Sequence, residues 1–219
     1  MNPRLLQLAS PALPVGAYSY SQGLEAAVES RIVRDAASAE AWISDVMDLT
    51  LATLEAPIFL RLARAWCSGD DAEAARWNAE FVASRESAEL RAETVQMGHS
   101  LRILLRDLEV EAIARLEAID EPAFPTAFAY AVSAWRLDPG DALEAYLFAW
   151  IENQVMAAIK AVPLGQTQGQ RILGRLAARI AAIAERAAHA RDEDLCNFAP
   201  GLALASARHE TQYSRIFRS

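Results

Sequence analysis

The sequence predicts a single all-α domain over residues 1–219, a single-domain helical bundle of roughly eight to ten helices with an irregular N-terminal arm and a C-terminal tail. Apolar residues recur at spacings of three and four along most of the chain, which is the repeat of one helix face. Strand signals are nearly absent, since there is no Asn-Gly hairpin turn and no sustained alternation rich in β-branched residues. No internal repeat and no interdomain linker interrupts this pattern.

The first long helix pattern is predicted to begin at Ser38, which can cap it, with Glu40 in the first turn. Pro57 lies inside the pattern, so we expect a kink there. The apolar stripe of this helix contains Ile43, Met47, Leu51, Leu54, Ile58, Leu62 and Trp66.

Two further helices and one weaker one are predicted in the middle of the chain. Asp70 or Asp71 can cap a short helix that extends through Phe81. A weaker helical pattern covers residues 110–119. The second helix is predicted between these two patterns, and its apolar stripe consists of Leu90, Thr94, Met97, Leu101, Leu104 and Leu108.

The last part of the chain is predicted to hold three helices before an irregular tail. Pro122 and Pro125 break the chain ahead of the first, and Asp141 with Glu144 has the spacing of a capping box at the start of the second. The tail begins near residue 197 and is expected either to be docked or to fold on binding a partner, or else to be disordered. The three stripes are Phe128, Val132 and Trp135; Leu143, Leu147, Ile151, Val155 and Ile159; and Ile172, Leu176, Ile180 and Ile183.

Composition and charge argue against several function classes. The net charge of −8 disfavours a protein that binds nucleic-acid phosphates without sequence preference. The same charge, together with the lack of a lysine-rich helix face and of any long apolar run, disfavours a membrane protein. The apolar run near the N-terminus is too short for a signal peptide and the two cysteines form no disulfide framework, so we expect a cytoplasmic protein.

Common catalytic and metal-binding patterns are missing from the sequence. The histidines, His99, His189 and His209, are far apart and lack the Cys-x-x-Cys or His-Glu-x-x-His spacing of metal sites, so we predict no metal site and no cofactor. A site assembled between chains or by distant helices stays open. Lys160, the only lysine, precedes the nearby glycines instead of following them, so it does not belong to a P-loop. Any nucleotide hydrolysis must therefore belong to a partner.

Three segments have the composition of protein contact surfaces. The arm over residues 10–25 combines two prolines, two glycines and two tyrosines. Residues 161–170 carry no charge and offer three glutamine amides, which is more than a plain turn requires. The tail places Phe198, Tyr213, Ile216 and Phe217 among three arginines, a composition enriched at interface hot spots.

Simpler structural interpretations of these segments stay open. The arm can pack on its own core, and residues 161–170 can be an ordinary turn between helices. Arg171, Arg175 and Arg179 lie on one helix face, which is more often solvated than bound to a partner.

Four motifs, in order along the whole chain, resemble the family of urease accessory protein F (UreF). Three of them are residues 84–91 with 96–98, residues 159–170, and residues 208–219. The first motif in the chain matches the family pattern Pro-x-Gly-x-aromatic-x-x-Ser-x-Gly-Leu-Glu through Pro14, Gly16, Tyr18, Ser21, Gly23, Leu24 and Glu25. Within this motif, Ala17 occupies a position where that family frequently has glycine.

The resemblance implies an all-helical protein, commonly a homodimer, without catalysis of its own. It implies a complex with UreD (also called UreH) and the GTPase UreG that loads nickel into apo-urease, so that nickel is handled by the complex and GTP is bound by the partner. The first and third motifs are candidates for the face that meets the GTPase, and the tail is a candidate for ordering against UreD. The implied partner-binding residues are Tyr18, Ser21, Gln22, Gly23, Glu25, Lys160, Pro163, Gly165, Gln166, Gln170, Arg208, Glu210, Tyr213, Arg215 and Phe217.

An enzyme is the competing hypothesis. In this alternative a helical pocket is built from Tyr18, Tyr20, His99 and Lys160, and a buried Lys160 acts as a nucleophile or a base. Turnover of a small substrate by the purified chain alone would distinguish it from an accessory protein.

Overall fold

The computed structural model describes residues 2–219, which form α-helices joined by short loops and contain no strand. Two 3₁₀ turns cover Ala17–Ser19 and Asp192–Asp194. The predicted all-α class is therefore confirmed for these residues. The sequence patterns did not indicate α1 and α2, which are too short to show an apolar stripe. The helices are α1 (Pro3–Ala9), α2 (Leu24–Glu29), α3 (Ala36–Val46), α4 (Ala56–Ser68), α5 (Asp71–Ala83), α6 (Ala88–Asp107), α7 (Ala114–Glu117), α8 (Phe124–Ala134), α9 (Pro139–Ala161), α10 (Gln166–Ala177), α11 (Ile180–His189) and α12 (Pro200–His209).

The core of the bundle lies where α4 and α6 pack against α8, with α9 against α4. Aromatic side chains fill this centre, and the ring of Phe128 meets the rings of Phe59 and Tyr146 edge-on at centroid distances of 5.6 and 5.3 Å. Such pairs contribute about 0.5–1.5 kcal/mol each beyond the area they bury. The predicted stripe from Ile43 to Trp66 is buried throughout, which confirms the face assigned to it.

The chain between α3 and α4 stays helical but with wider turns. Residues Met47–Glu55 form a π-helix, in which the Ala56 N–H bonds to the Leu51 carbonyl five residues earlier. Pro57 follows in the first turn of α4, where its missing N–H costs little. The Thr53 carbonyl, which an N–H at residue 57 would pair in an α-helix, accepts the Cys196 N–H at 3.2 Å instead. The disturbance expected at Pro57 is thus a stretch of π-helix that ends just before the proline.

Two predicted helix caps are wrong by three residues. Asp35 caps α3: its carboxylate accepts the Ser38 N–H at 2.9 Å while the Ser38 hydroxyl accepts the Asp35 N–H at 3.1 Å. Asp138 likewise caps α9 by accepting the Asp141 N–H at 2.9 Å, in place of the predicted pairing of Asp141 with Glu144. In both cases an aspartate three positions earlier reaches the free N–H groups first and so sets the start of the helix.

Two other predicted helices are shorter than the sequence pattern indicates. The pattern over residues 110–119 yields only the single turn α7, because Glu109 and Ala112 adopt positive φ angles of 52° and 57°. The stripe from Ile172 to Ile183 spans two helices instead of one, since the chain turns between the end of α10 and the start of α11 at Ile180.

At Gly98, α6 approaches the chain before α8 so closely that no side chain fits. A Cβ there would lie 2.0 Å from the Pro122 carbonyl oxygen. Because that neighbour is backbone, Gly98→Ala should lower the free energy of unfolding by about 2–3 kcal/mol in a urea titration. The control is Gly174→Ala in α10, where nothing lies within 4 Å of the added Cβ and helix propensity predicts a gain of up to about 1 kcal/mol. Equal stability of the two variants would contradict this close packing.

Candidate partner-binding site

The N-terminal arm and the end of the chain meet although they are up to 198 residues apart in sequence. Both the backbone N–H and the hydroxyl of Ser21 donate to the Ser219 carbonyl oxygen at 2.6 Å. The Arg218 N–H donates to the Ser19 carbonyl at 2.8 Å. The first and fourth motifs of the sequence therefore form one structural unit.

Glu25 is the anchor for the returning chain. Its two carboxylate oxygens accept the backbone N–H groups of Ile216 and Phe217 at 2.7 and 2.9 Å. Nε2 of the fully buried His209 lies 3.2 Å from the same carboxylate, and Nδ1 lies 2.7 Å from Glu89 on α6. The imidazole of His209 therefore links the buried Glu25 on α2 to the partly buried Glu89 on α6.

Gly23 immediately precedes α2, and its backbone conformation fixes where this helix, and therefore Glu25, begins. Its φ of 76° lies in the left-handed region, which favours glycine. A Cβ on Gly23 would also lie 3.2 Å from the Ser206 backbone nitrogen, so α12 packs directly on this turn. The glycine therefore brings α2 and α12 together and sets the distance between Glu25 and His209.

A second buried carboxyl, Glu93 on α6, contacts both ends of the chain. It accepts the Gln22 Nε2 donor at 2.7 Å and the Ser219 hydroxyl at 2.8 Å, and Gln22 in turn accepts the Trp150 Nε1 donor at 2.8 Å. Burial raises the pKa of Glu93 to about 7, against the lowering effect of the hydrogen bonds from Gln22 and Ser219.

A third carboxyl, Glu55, comes from the π-helix and was missed by the sequence analysis. Tyr146 donates to it at 2.5 Å, and Arg85 Nη1 lies 3.3 Å from its other oxygen. Burial, then the Glu55 charge and hydrogen bond, raises the pKa of Tyr146 well above its ordinary value. Glu55 could not be recognised from spacing, because it lies on a helix whose turns are wider than the repeat used to read the sequence.

Lys160 lies at the surface beside both ends of the chain. Its Nζ is 5.9 Å from the ring centroid of the exposed Tyr18 and 5.5 Å from that of the buried Phe217, both within cation–π range. The turn that follows is held by the Gly165 N–H, which donates to the Gln168 side chain at 3.1 Å. We call the exposed residues of this region the Lys160 face, namely Tyr18, Lys160, Pro163, Gly165, Gln166 and Gln170.

The fifteen residues implied by the resemblance divide into a surface set and a buried set. Outside the Lys160 face, Arg208, Glu210, Tyr213 and Arg215 are exposed, and Gln22 is partly buried. The buried residues cannot touch a partner in this conformation and instead position the surface set. They are Ser21, Gly23, Glu25 and Phe217.

The pocket required by the enzyme hypothesis is not formed. A cavity of about 200 Å³ between the N-terminal arm, α6 and α9 is lined by Tyr18 and Lys160 among others, but not by Tyr20 or His99. The Tyr20 hydroxyl donates to Gln96 at 2.6 Å, and Lys160 is exposed where the hypothesis requires it to be buried. The predicted grouping of these four side chains is therefore wrong.

Two of the three arginines predicted to share one helix face form ion pairs within the chain, and the predicted common face is wrong for Arg179, which lies beyond the end of α10 at Ala177. Arg175 pairs with Glu40 at 2.5 Å, and Arg179 pairs with Asp48 at 2.5 Å. This agrees with the simpler interpretation of a solvated helix face. Across residues 2–219, no three His, Cys, Asp or Glu side chains are placed to share a metal ion, and no helix is both long and apolar enough to cross a membrane.

Comparisons with known proteins agree on one family. Residues 33–177 match the model of the UreF family. The chain is 60% identical over 221 residues to the urease accessory protein UreF of Azoarcus sp. strain BH72, covering 99% of this chain and 94% of that protein. It is 56% identical over 220 residues to UreF of Dechloromonas aromatica strain RCB, covering 99% and 96%. A bifunctional urease accessory protein UreEF of Bordetella bronchiseptica is 50% identical over 221 residues, covering 98% of this chain and 51% of that protein.

Proposed function

This chain belongs to the UreF family of urease accessory proteins, and we propose that it is a non-catalytic scaffold for urease maturation. Together with UreD (UreH) and the GTPase UreG, it supports GTP-dependent incorporation of nickel into apo-urease. In this proposal nickel is handled by the complex and GTP is bound by UreG, so the chain itself needs no cofactor. Its exposed, unpaired Cys67 and Cys196 suit a reducing cytoplasm.

The observation that carries this proposal is the Lys160 face. Lys160 has no carboxylate partner among the ion pairs of residues 2–219, although the chain has a net charge of −8. It stands beside an exposed tyrosine and uncharged glutamine amides, on a framework fixed by buried hydrogen bonds. A rigid, exposed and chemically mixed surface is suited to protein recognition. We assign this face to UreG.

A second surface is assigned to UreD. Exposed apolar side chains cluster in sequence around α12 and the tail, and Tyr213 and Ile216 project outward while the backbone of Ile216 is bonded inward to Glu25. Phe198 and Leu204 are also more than half exposed, at 71% and 61%. Apolar side chains held outward by an ordered backbone bind a partner at low entropic cost.

We also propose that the chain is a homodimer, since closed two-fold dimers are the commonest assembly. Large apolar side chains outside the tail, such as Leu6 and Ile32, are 56% exposed and could be buried in a dimer interface. Light scattering at micromolar concentration should give about twice the 23.9 kDa mass of one chain.

Co-purification tests the scaffold assignment most simply. The tagged chain is expressed with UreD and UreG and recovered with and without GTP and nickel. The account predicts that both partners are retained through washing, with UreG retention changed by GTP. Recovery of the chain alone under all conditions would contradict the scaffold role.

Substitution of Lys160 separates a recognition role from a structural one. Lys160→Ala should change the free energy of unfolding by about 1 kcal/mol or less, because its exposed cation–π contacts contribute little. It should weaken UreG binding about tenfold, while Lys160→Arg retains most of the affinity by keeping the charge.

The control for Lys160 is Arg64→Ala, which removes an exposed cation from α4. Binding is measured by calorimetry on the assembled complex with UreD. Unchanged affinity of the alanine variant, or an equal loss in the Arg64 variant, would remove Lys160 from the recognition face.

A further inference from the structure

The cavity of about 200 Å³ between the N-terminal arm, α6 and α9 has room for a small organic molecule. Its wall is mainly apolar, with Leu8 from α1, Leu13 from the arm, Phe81 from α5 and Met97 from α6. Each of these side chains is at most 8% exposed. Because an apolar cavity of about 150 Å³ can hold benzene, this one can hold an aromatic ring with a short polar substituent.

The cavity opens at the surface beside the Lys160 face. Among its lining residues, Tyr18, Met156 and Lys160 are exposed and mark the mouth. Glu55 and Glu93 are buried, at 6% and 5% exposed, and therefore mark the inner end. A molecule that enters from solvent would pass the apolar wall and meet carboxyl groups at the far side.

Glu93 has capacity for a further hydrogen-bond donor. An ionised carboxylate offers about four acceptor positions, and two are used, by Gln22 Nε2 at 2.7 Å and by the Ser219 hydroxyl at 2.8 Å. Both hydrogen bonds favour the ionised form of the carboxyl group. Within residues 2–219 no cationic side chain forms an ion pair with Glu93. A charged donor on a bound molecule would supply the missing cation.

The lining as a whole holds one more carboxyl group than cations. Glu55, Glu93 and Glu152 stand against Arg85 and Lys160. Arg85 already lies 3.3 Å from Glu55, and Lys160 is at the mouth, so the inner end keeps the uncompensated charge of ionised Glu93. In surroundings of low dielectric constant this charge favours a bound cation and disfavours an anion.

We propose that this cavity is a binding site for a small arylalkylammonium compound whose ammonium group donates to Glu93. The aromatic body would pack against Phe81 and Met97 and release water from the apolar wall. The ammonium group would form a charge-assisted hydrogen bond, which is stronger than one between neutral groups. The site is built by this chain alone, so the inference goes beyond the role in urease maturation and does not depend on it.

Calorimetric titration of the full-length chain with benzylammonium tests the proposal. The titration is done at pH 8, where Glu93, whose pKa burial raises to about 7, is ionised. A primary amine is still protonated there, as lysine is with its pKa of about 10.4. We expect a dissociation constant of about 1 mM or tighter, which is an ordinary affinity for so small a ligand. Phenylacetate, which is anionic, and benzyl alcohol, which is neutral, should bind at least tenfold more weakly.

Two variants locate the bound molecule. Glu93→Gln retains the size of the side chain but removes its charge, so the affinity for benzylammonium should fall at least tenfold. Ala149→Leu adds bulk to the part of the lining that α9 supplies and should cause a similar loss by filling the space. The control is Glu86→Gln, which neutralises an exposed carboxyl group outside the lining and should leave the affinity unchanged. Thermal unfolding of each variant verifies that it folds.

Several results would overturn the proposal. Absence of benzylammonium binding at concentrations up to about 10 mM would show that the cavity is not such a site. Equal affinity for benzylammonium and phenylacetate would contradict selection by charge. Unchanged affinity in folded Glu93→Gln would remove Glu93 from the site. If that variant failed to fold, unchanged affinity in Ala149→Leu would still show that the ammonium compound binds elsewhere.

Discussion

Replacing Arg85 with methionine is expected to destabilise the chain by about 3–5 kcal/mol at neutral pH. Arg85 and Glu55 are both nearly buried, with side chains 11% and 9% exposed, and they lie 3.3 Å apart. Methionine preserves much of the side-chain length and apolar contact but leaves the Glu55 carboxylate without its cation. The buried Glu93 nearby then adds repulsion that Arg85 no longer offsets. Chemical denaturation gives the free energy directly.

Arg91→Met is the matched control for this substitution. Arg91 lies 2.9 Å from Glu121, but both side chains are more than half exposed, and such pairs contribute about 0–1 kcal/mol. If Arg85→Met and Arg91→Met lowered the free energy of unfolding by similar amounts, the pair of Glu55 and Arg85 would contribute no more to the fold than a surface ion pair.

Removing residues 210–219 is expected to cost about 3 kcal/mol, or a melting temperature lower by roughly 6–12 °C. The deletion removes the buried ring of Phe217 and leaves Glu25 and Glu93 without their donors from the tail. Terminal segments ordinarily contribute little to a core, whereas this one places a buried ring and hydrogen-bond donors against buried carboxyl groups. Thermal unfolding of the shortened chain measures the loss.

The double variant Tyr213→Ala with Ile216→Ala separates stability from recognition. Both side chains are exposed, so the melting temperature should stay within about 2 °C of the parent chain. Binding to UreD should nevertheless weaken by at least tenfold, since these are the main outward anchors of the tail. For the deletion of residues 210–219, a melting temperature equal to that of the parent chain would show that these residues do not contribute to the stability of the fold.

Helix positions and buried faces were largely predictable because they depend on local periodicity. The stripe from Leu143 to Ile159 lies on α9 as predicted, and Ile151 and Val155 are buried. Errors arose where one residue type suits two roles. The chain from residue 197 onward was expected to be an irregular tail, yet Pro200 lies in the first turn of α12, a position where proline is favourable.

The supporting network was not predictable, because its contacts join residues far apart in sequence. Nothing in the spacing around Glu25 indicates that it accepts from the Phe217 N–H, 192 positions later. Glu55 and Glu93 have no sequence feature that distinguishes them from carboxylates on a helix surface, and only their partners in the folded chain identify them. The motifs that carry the family resemblance located the Lys160 face, whereas only the folded chain shows that Ser21, Glu25 and Phe217 support it from inside.

The nickel content of urease is the most direct test of whether this chain assists nickel loading through the Lys160 face. Apo-urease is produced in cells with UreD, UreG and either the parent chain, the triple variant Tyr18→Ala, Lys160→Ala and Gln170→Ala, or the control Arg64→Ala. The account predicts nickel-loaded, active urease with the parent and the control, and at least a tenfold loss with the triple variant although it folds and melts like the parent. Full nickel loading by the triple variant, or without any form of the chain, would contradict the account.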